Sequence, residues 1–446
     1  MKKLLALLTL TIAVAAFAQD SSNWDLRKCV DYAVKNNISV KQAAVQARVA
    51  AIQAKQLELY KYPSASFSTN FGPQFGRSID PTTNTYTNTE LFSQNYGLQG
   101  GIQVYNWGRI KNGLAASQFN AQAAFTDIEK AANDVSLNVA LYYLQVLASN
   151  ESINISRFQI QQTLARIGDT KKKVDAGSLP ELNLMELQAQ LALDSTSLIT
   201  NITSFDQNIL ALKGLLNIDA SKPFNVETPP VEKIPVENLA DLMPETVFLL
   251  AINNQPTQKS NDLKIKAAEK NVLANKAQLY PTISANYSLG STYNNKAVNF
   301  SNGNKIQYFD QINQNFRQSL GIGLQVPIFN NGQIRSNYEQ SKENVKMLLL
   351  QKELADQTLK NNIYTAYTNA VAAMQKFYAG KKQVETAAKV YEFSVKRYDV
   401  GLLGTLDLLI NQNNLDRVRV QQISNQYDFI FRMKLLEFYK GQGLKL

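Results

Sequence analysis

The sequence predicts a mixed α+β membrane protein, internally duplicated, with four membrane-type strands per chain. Three observations predict it. Residues recur in register: Tyr62-Pro63 returns as Tyr280-Pro281, 218 positions later, and Ala33, Asn36, Lys41 and Gly72 meet Ala251, Asn254, Lys259 and Gly290 at that offset. Beyond the strands the offset becomes 224, pairing Asn106-Trp107-Gly108 with Asn330-Asn331-Gly332 and Asp175-Ala176-Gly177 with Asp399-Val400-Gly401. Each copy holds two segments of alternating polarity, and each holds a proline-free stretch long enough for a helix of roughly 100 Å.

The elements follow in order. Residues 1–18 read as a signal peptide: Lys2-Lys3, an apolar run from Leu4 to Phe17, and a small-x-small site at Ala16-Phe17-Ala18. Residues 19–216 form the first repeat, with helices in 25–62, strands 64–76 and 95–106, a long helix 109–176 and a helix 180–216. A Pro-rich segment 217–244 links it to the second repeat, 245–446. There the helices fall in 245–280, the strands at 282–293 and 315–328, the long helix at 333–400 and its partner at 404–440.

The long helices carry apolar residues every seventh position, such as Val139, Val146, Ile153, Ile160 and Ile167, with smaller residues three places on: Ser149, Ser156, Thr163 and Thr170. The second copy repeats this with Ile363, Ala370, Tyr391 and Tyr398 beside Ala366, Ala373, Gly380, Ala387 and Ser394. A strict seven-residue repeat predicts coiled-coil packing. Gly177 with Leu179-Pro180, and Gly401 with Leu403-Gly404, predict the turns of two helical hairpins.

In the strands one face is apolar (Phe67, Phe71; Leu98, Ile102; Ile283, Leu289; Leu320, Ile322, Leu324) and the other is Ser, Asn, Gln, Thr and Gly. Their lengths suit a tilted crossing of a bilayer. Tyr62, Tyr105, Trp107, Tyr280 and Phe329 crowd the helix-proximal strand ends, as an interfacial girdle does. Four strands cannot close a barrel, and lipid does not tolerate open edges. Two copies would supply eight strands and three would supply twelve. The short side chains and glycines of the polar face suit an open lumen, hence a trimeric twelve-stranded β-barrel.

Composition excludes other classes. The chain has no histidine and one cysteine, Cys29, so imidazole acid–base chemistry, paired-cysteine metal sites and internal disulfides are out of reach. No cofactor-binding motif is present, and the reading is not that of an enzyme. The positive excess of 10 is dilute, with no basic run longer than Lys171-Lys172-Lys173, so nucleic-acid binding is not indicated.

On these residues the chain resembles the TolC-type outer-membrane efflux-channel family. The motifs are Arg397-Tyr398-Asp399-Val400-Gly401 followed by Leu406-Asp407-Leu408-Leu409 and Gln412, its first-copy version Lys173–Gly177 with Leu182-Asn183-Leu184 and Gln188, and the corner Pro327-Ile328-Phe329-Asn330-Asn331-Gly332. The resemblance implies a homotrimer whose barrel sits in the outer membrane of a Gram-negative bacterium and continues as a periplasmic tunnel of coiled-coil helices. It implies that the chain is the exit duct of a tripartite efflux or type I secretion system. It also implies partners: outer-membrane lipid, a periplasmic adaptor (membrane fusion) protein docking at the helical tips (Gly177, Leu179, Pro180, Gly401, Leu403, Gly404), and an inner-membrane transporter of RND, ABC or MFS type. By the same resemblance Asp407 and Tyr398 belong to a gating constriction. Ile410 and Asn183 stand where some members carry further acids. An alternative reading of the long hairpins is a soluble periplasmic coiled-coil adaptor.

Overall fold

The computed structural model describes residues 24–79, 84–88, 90–228, 237–299 and 301–441. The leader at 1–18 and residues 229–236 of the linker lie outside the described residues. The chain divides into two compact units, one of residues 45–126 and 260–353, the other of 1–44, 127–259 and 354–446.

The first of these holds the sheet. Strands β1 (Ser64–Gln74), β4 (Leu91–Tyr105), β5 (Thr282–Asn294) and β6 (Arg317–Gln325) pair antiparallel in the order β1-β4-β5-β6. A two-stranded ribbon, β2 (Arg77–Ile79) with β3 (Tyr86–Asn88), stands in the β1–β4 connection. Strand bounds differ from the sequence reading for local reasons. β1 stops before Gly76, whose φ of 119° turns the chain. β4 starts at Leu91, because the loop residue Asn295 accepts the Phe92 N–H through its side chain and donates its own N–H to the Phe92 carbonyl. β6 ends ahead of Pro327, which has no N–H to give a ladder.

The ladders are in register throughout except at one bulge. Gln103 faces Ser284, but Tyr105 faces Ile283, so Val104 is the extra residue. This bulge moves Tyr105 from the polar to the apolar side of the sheet.

The long elements outside the sheet are helices. Helix α1 (Leu26–Asn36) is capped by Asp25, whose carboxylate accepts the Lys28 N–H at 2.6 Å. Asn37 breaks the chain there. Its side chain donates to the Leu215 carbonyl at 2.8 Å and accepts the Ser39 N–H, starting helix α2 (Ile38–Leu59). Gln255 holds the same place between helices α5 (Pro244–Asn254) and α6 (Pro256–Ala277), with Pro256 beginning the second.

Helices α3 (Arg109–Asp175) and α8 (Gln333–Asp399) are each 67 residues, about 100 Å long. Their partners are α4 (Glu181–Leu216) and α9 (Thr405–Lys440). On α8 the fully buried residues fall on two seven-residue rows: Leu359, Ala366, Ala373, Gly380, Ala387, Ser394, and Ile363, Ala370, Tyr391, Tyr398. Small residues on one row let neighbouring backbones close in, which is what a 3.5-residue seam needs.

Two apolar cores anchor the hairpin bases. One gathers Cys29, Val139, Tyr143, Leu147, Leu212 and Leu216, and the other Leu242, Val247, Ile363, Ala370, Met433 and Leu436. Each fully buried aliphatic side chain there contributes about 1.5–3 kcal/mol. Burial pushes the Cys29 thiol up to about 12, with Asp25 adding to the rise and Lys28 opposing it. Among the described residues no helix is long and apolar enough to cross a membrane.

Candidate functional site

The sheet is built as a wall with two chemistries. Residues directly opposite one another point to the same side, so the register assigns every strand residue to a face. Phe67, Leu98, Leu289 and Gln318 lie in one row, and Tyr287 and Leu320 in the next. The apolar face is open: Leu320 is 86% and Ile322 82% exposed, and Phe67, Phe71 and Leu324 are also exposed.

The opposite face lines a concave volume of about 670 Å³ with Ser66, Gln99, Gln103, Ser284, Asn286 and Ser319 among its walls. On that face Arg317 is the only charged strand residue among the described residues.

Gly100 is the tightest point in the sheet. A Cβ there would fall 1.8 Å from the Ser64 carbonyl oxygen and 2.7 Å from the Tyr287 hydroxyl. Tyr287 lies over the bare glycine and donates to the Ser64 carbonyl at 3.1 Å.

At the helix-proximal end three of the five predicted girdle residues meet. Trp107 packs against Tyr105 at 5.2 Å and Tyr280 at 4.9 Å, and its indole N–H donates to the Pro281 carbonyl at 2.8 Å. Trp107 does this from a left-handed backbone (φ 53°), followed by Gly108 at 76°. Asn331 and Gly332 repeat that pair at 54° and 75°. Tyr62 and Phe329 stand exposed outside the stack.

The two helical turns are alike atom for atom. Gly177 (φ 72°) donates to the Val174 carbonyl while Ser178 donates to that of Lys173. Gly401 (φ 77°) donates to Tyr398 while Leu402 donates to Arg397. Each is a left-handed glycine cap that satisfies the last carbonyls of its long helix. Around them Pro180, Gly401 and Gly404 are exposed and Leu179 and Leu403 half-buried, Leu403 packing against the cluster of Tyr398, Leu408 and Leu415.

The predicted constriction residues differ in exposure. Asp407 lies exposed in the first turn of α9, with Ile410 exposed one turn on. Asn183 is half-buried on α4. Tyr398 is buried within the chain, its hydroxyl 3.3 Å from that of Thr170 and Lys173 over its ring.

A second polar constellation was not anticipated from the sequence. Thr163 is fully buried and donates to Asp194 at 2.7 Å. Gln190 donates to the other Asp194 oxygen at 2.7 Å and exchanges two hydrogen bonds with Asn413, at 2.9 and 3.1 Å. Gln412 reaches Thr163 and accepts from Tyr391, whose hydroxyl in turn accepts from Arg166. Asp416 closes the group. Burial pushes its carboxyl up to about 6, against the pull of a Gln159 hydrogen bond and Arg419 and with a further push from Asp194. Of these residues Gln159, Gln190, Asp194, Asn413 and Asp416 line a groove of about 760 Å³. The hydroxyl row of α3 was the available signal, since buried hydroxyls require polar partners.

One membrane-type sheet joined to long helical hairpins defines a mostly helical α+β protein of the outer-membrane channel class. The outer membrane efflux protein family matches residues 30–217 and 249–431. The chain belongs to that family and is an outer-membrane efflux channel. It is 24% identical over 348 residues to the pyoverdine export outer membrane protein OpmQ of Pseudomonas aeruginosa, spanning 75% of this chain and 67% of that one. It is 20% identical over 406 residues to toxin and drug export protein A of Aggregatibacter actinomycetemcomitans, spanning 91% and 83%. A crystal structure of CusC superposes with a TM-score of 0.80 at 15% identity, covering 94% of this chain and 92% of that one.

Proposed function

We propose that three chains close one twelve-stranded barrel in the outer membrane and form the exit duct of a tripartite efflux or type I secretion system. The observation that carries this is the open sheet. β1 and β6 each have one unpaired edge within the chain, and the apolar face between them is exposed. In lipid both edges must be paired, and pairing β6 of one chain to β1 of the next closes a ring with none left over. The coiled-coil adaptor reading leaves that exposed apolar face without a role.

The internal duplication is part of this proposal. It is supported by the paired left-handed corners, the paired glycine caps and the two separate segments matched by the family. The helices then extend into the periplasm. Their tips, with Leu179, Pro180, Leu403 and Gly404, are offered to an adaptor, and an inner-membrane transporter of RND, ABC or MFS type supplies the energy. Asp407 would meet its two symmetry mates in a negative ring that attracts cations. Ile410 would add an apolar collar beside it. The relatives' names span pyoverdine export and toxin and drug export.

Sedimentation of the detergent-extracted protein tests the assembly. Three chains per particle is the expected mass. A stable, detergent-free monomer overturns the reading.

A further inference from the structure

A short helix in the β5–β6 connection, α7 (Tyr308–Gln314), is fastened over the outer end of the sheet on its apolar side. Three side chains hold it there, and the register gives all three the same facing as Leu98 and Leu289: Tyr96, Ser291 and Tyr293. Tyr96 hydrogen-bonds the Tyr308 hydroxyl, Ser291 donates to the Ile312 carbonyl at 2.6 Å, and Tyr293 packs on the Tyr308 ring at 4.8 Å. Gln311 is 1% exposed. Its side chain accepts the Asn294 N–H and donates to the Asn294 and Ile306 carbonyls, locking the helix to the strand end. Phe309, edge-on to Tyr308 at 5.3 Å, is left 81% exposed.

We infer that α7 is a membrane anchor: Phe309 enters the outer-leaflet boundary of the bilayer, and the Tyr96–Tyr293–Tyr308 cluster forms a second aromatic belt. The spacing agrees. Tyr105 of the helix-proximal stack and Tyr96 of the outer cluster share one strand, nine residues apart. At roughly 3.3 Å per residue that is about 30 Å. A tilt of about 40° reduces it to about 23 Å along the membrane normal, against an apolar band of about 25 Å between the girdles of such barrels. The occupant is lipid rather than a protein partner because Tyr96, Ser291 and Tyr293, which hold the helix, share their face of the sheet with the exposed Leu320 and Ile322. Tyr rings favour the headgroup level for their mixed polarity, and Phe309 offers a purely apolar ring to the acyl chains just below.

This rests on the barrel reading, and the experiment separates the two. Full-length protein carrying Phe309→Cys, Leu320→Cys or Asn302→Cys is labelled with bimane and reconstituted in phosphatidylcholine vesicles containing brominated lipid. The label at 309 is expected to be quenched by bromolipid and shielded from iodide, as at 320, while that at 302 is quenched by iodide alone. Quenching at 320 with an iodide-accessible label at 309 overturns the anchor and leaves the barrel standing. A label at 309 shielded from both quenchers places Phe309 on protein and also overturns it. Loss of bromolipid quenching at 320 and 309 together overturns both readings.

Discussion

Gln190 and Asn413 exchange two amide hydrogen bonds, joining the first helical hairpin to the second. The same Gln190 amide nitrogen holds Asp194, which Thr163 also holds. The hairpins are thus tied by polar groups where an ordinary coiled coil would use leucine. Such a seam is specific in register, and every partner removed leaves another buried and unsatisfied.

Asp194→Ala is therefore expected to destabilise the helical unit by about 2–3 kcal/mol, since two buried donors lose a charged acceptor. Thermal unfolding followed by helical circular dichroism reads this. Thr163→Val should cost less, and the double variant less than the sum, because both changes break one bond.

Asp416 makes stability depend on pH. Its folded carboxyl titrates near 6 instead of 3.8. Between those values the folded chain holds a proton that the unfolded chain has released, so stability falls as pH rises from about 4 to about 6 and stays low above. Asp416→Asn should flatten that slope and raise the unfolding midpoint at neutral pH. The gain is at most about 3 kcal/mol for two pKa units. Unfolding scans at pH 4.5 and 7.5 compare the two proteins, and an unchanged slope in the variant rules out Asp416 as its source.

Two sheet glycines should respond oppositely to the same change. A methyl at Gly100 collides with the Ser64 carbonyl, whereas nothing lies within 4 Å of a Cβ at Gly321. Gly100→Ala should prevent assembly of the oligomer proposed above, read on gels of unheated outer-membrane fractions, and Gly321→Ala should leave assembly intact.

Asp407→Asn should move the zero-current potential of single channels toward zero in a salt gradient across a planar bilayer. Selectivity that survives the change would remove Asp407 from the constriction. Asp407 would then be an acid favoured by the start of its helix.

The strands and long helices were legible because period two and period seven leave strong marks over ten and sixty residues. Gly177 and Gly401 marked their turns for the same reason, as only glycine takes that backbone cheaply. The polar seam was hidden. Asp194 and Asp416 sit on helices where a carboxylate normally reads as solvent-facing, and only the threonine and serine row opposite hints otherwise. On α4 Leu184, Leu191 and Leu198 keep a seven-residue spacing yet are half-buried, while Leu187, Gln190 and Asp194 between them are buried. Tyr398 carried a familiar motif, but its burial against Thr170 depends on a neighbouring helix that no local pattern reveals. The loop helix at Tyr308 was missed because seven residues carry too little periodicity.

The concave wall of the sheet has hydroxyls, amides and bare glycines, with Arg317 as its sole ion. In the twelve-stranded barrel proposed above, such a lining would offer a passing solute few charges to bind. A bore of this kind left permanently open would drain the cell's permeability barrier, so the duty of sealing it would fall to the helical end.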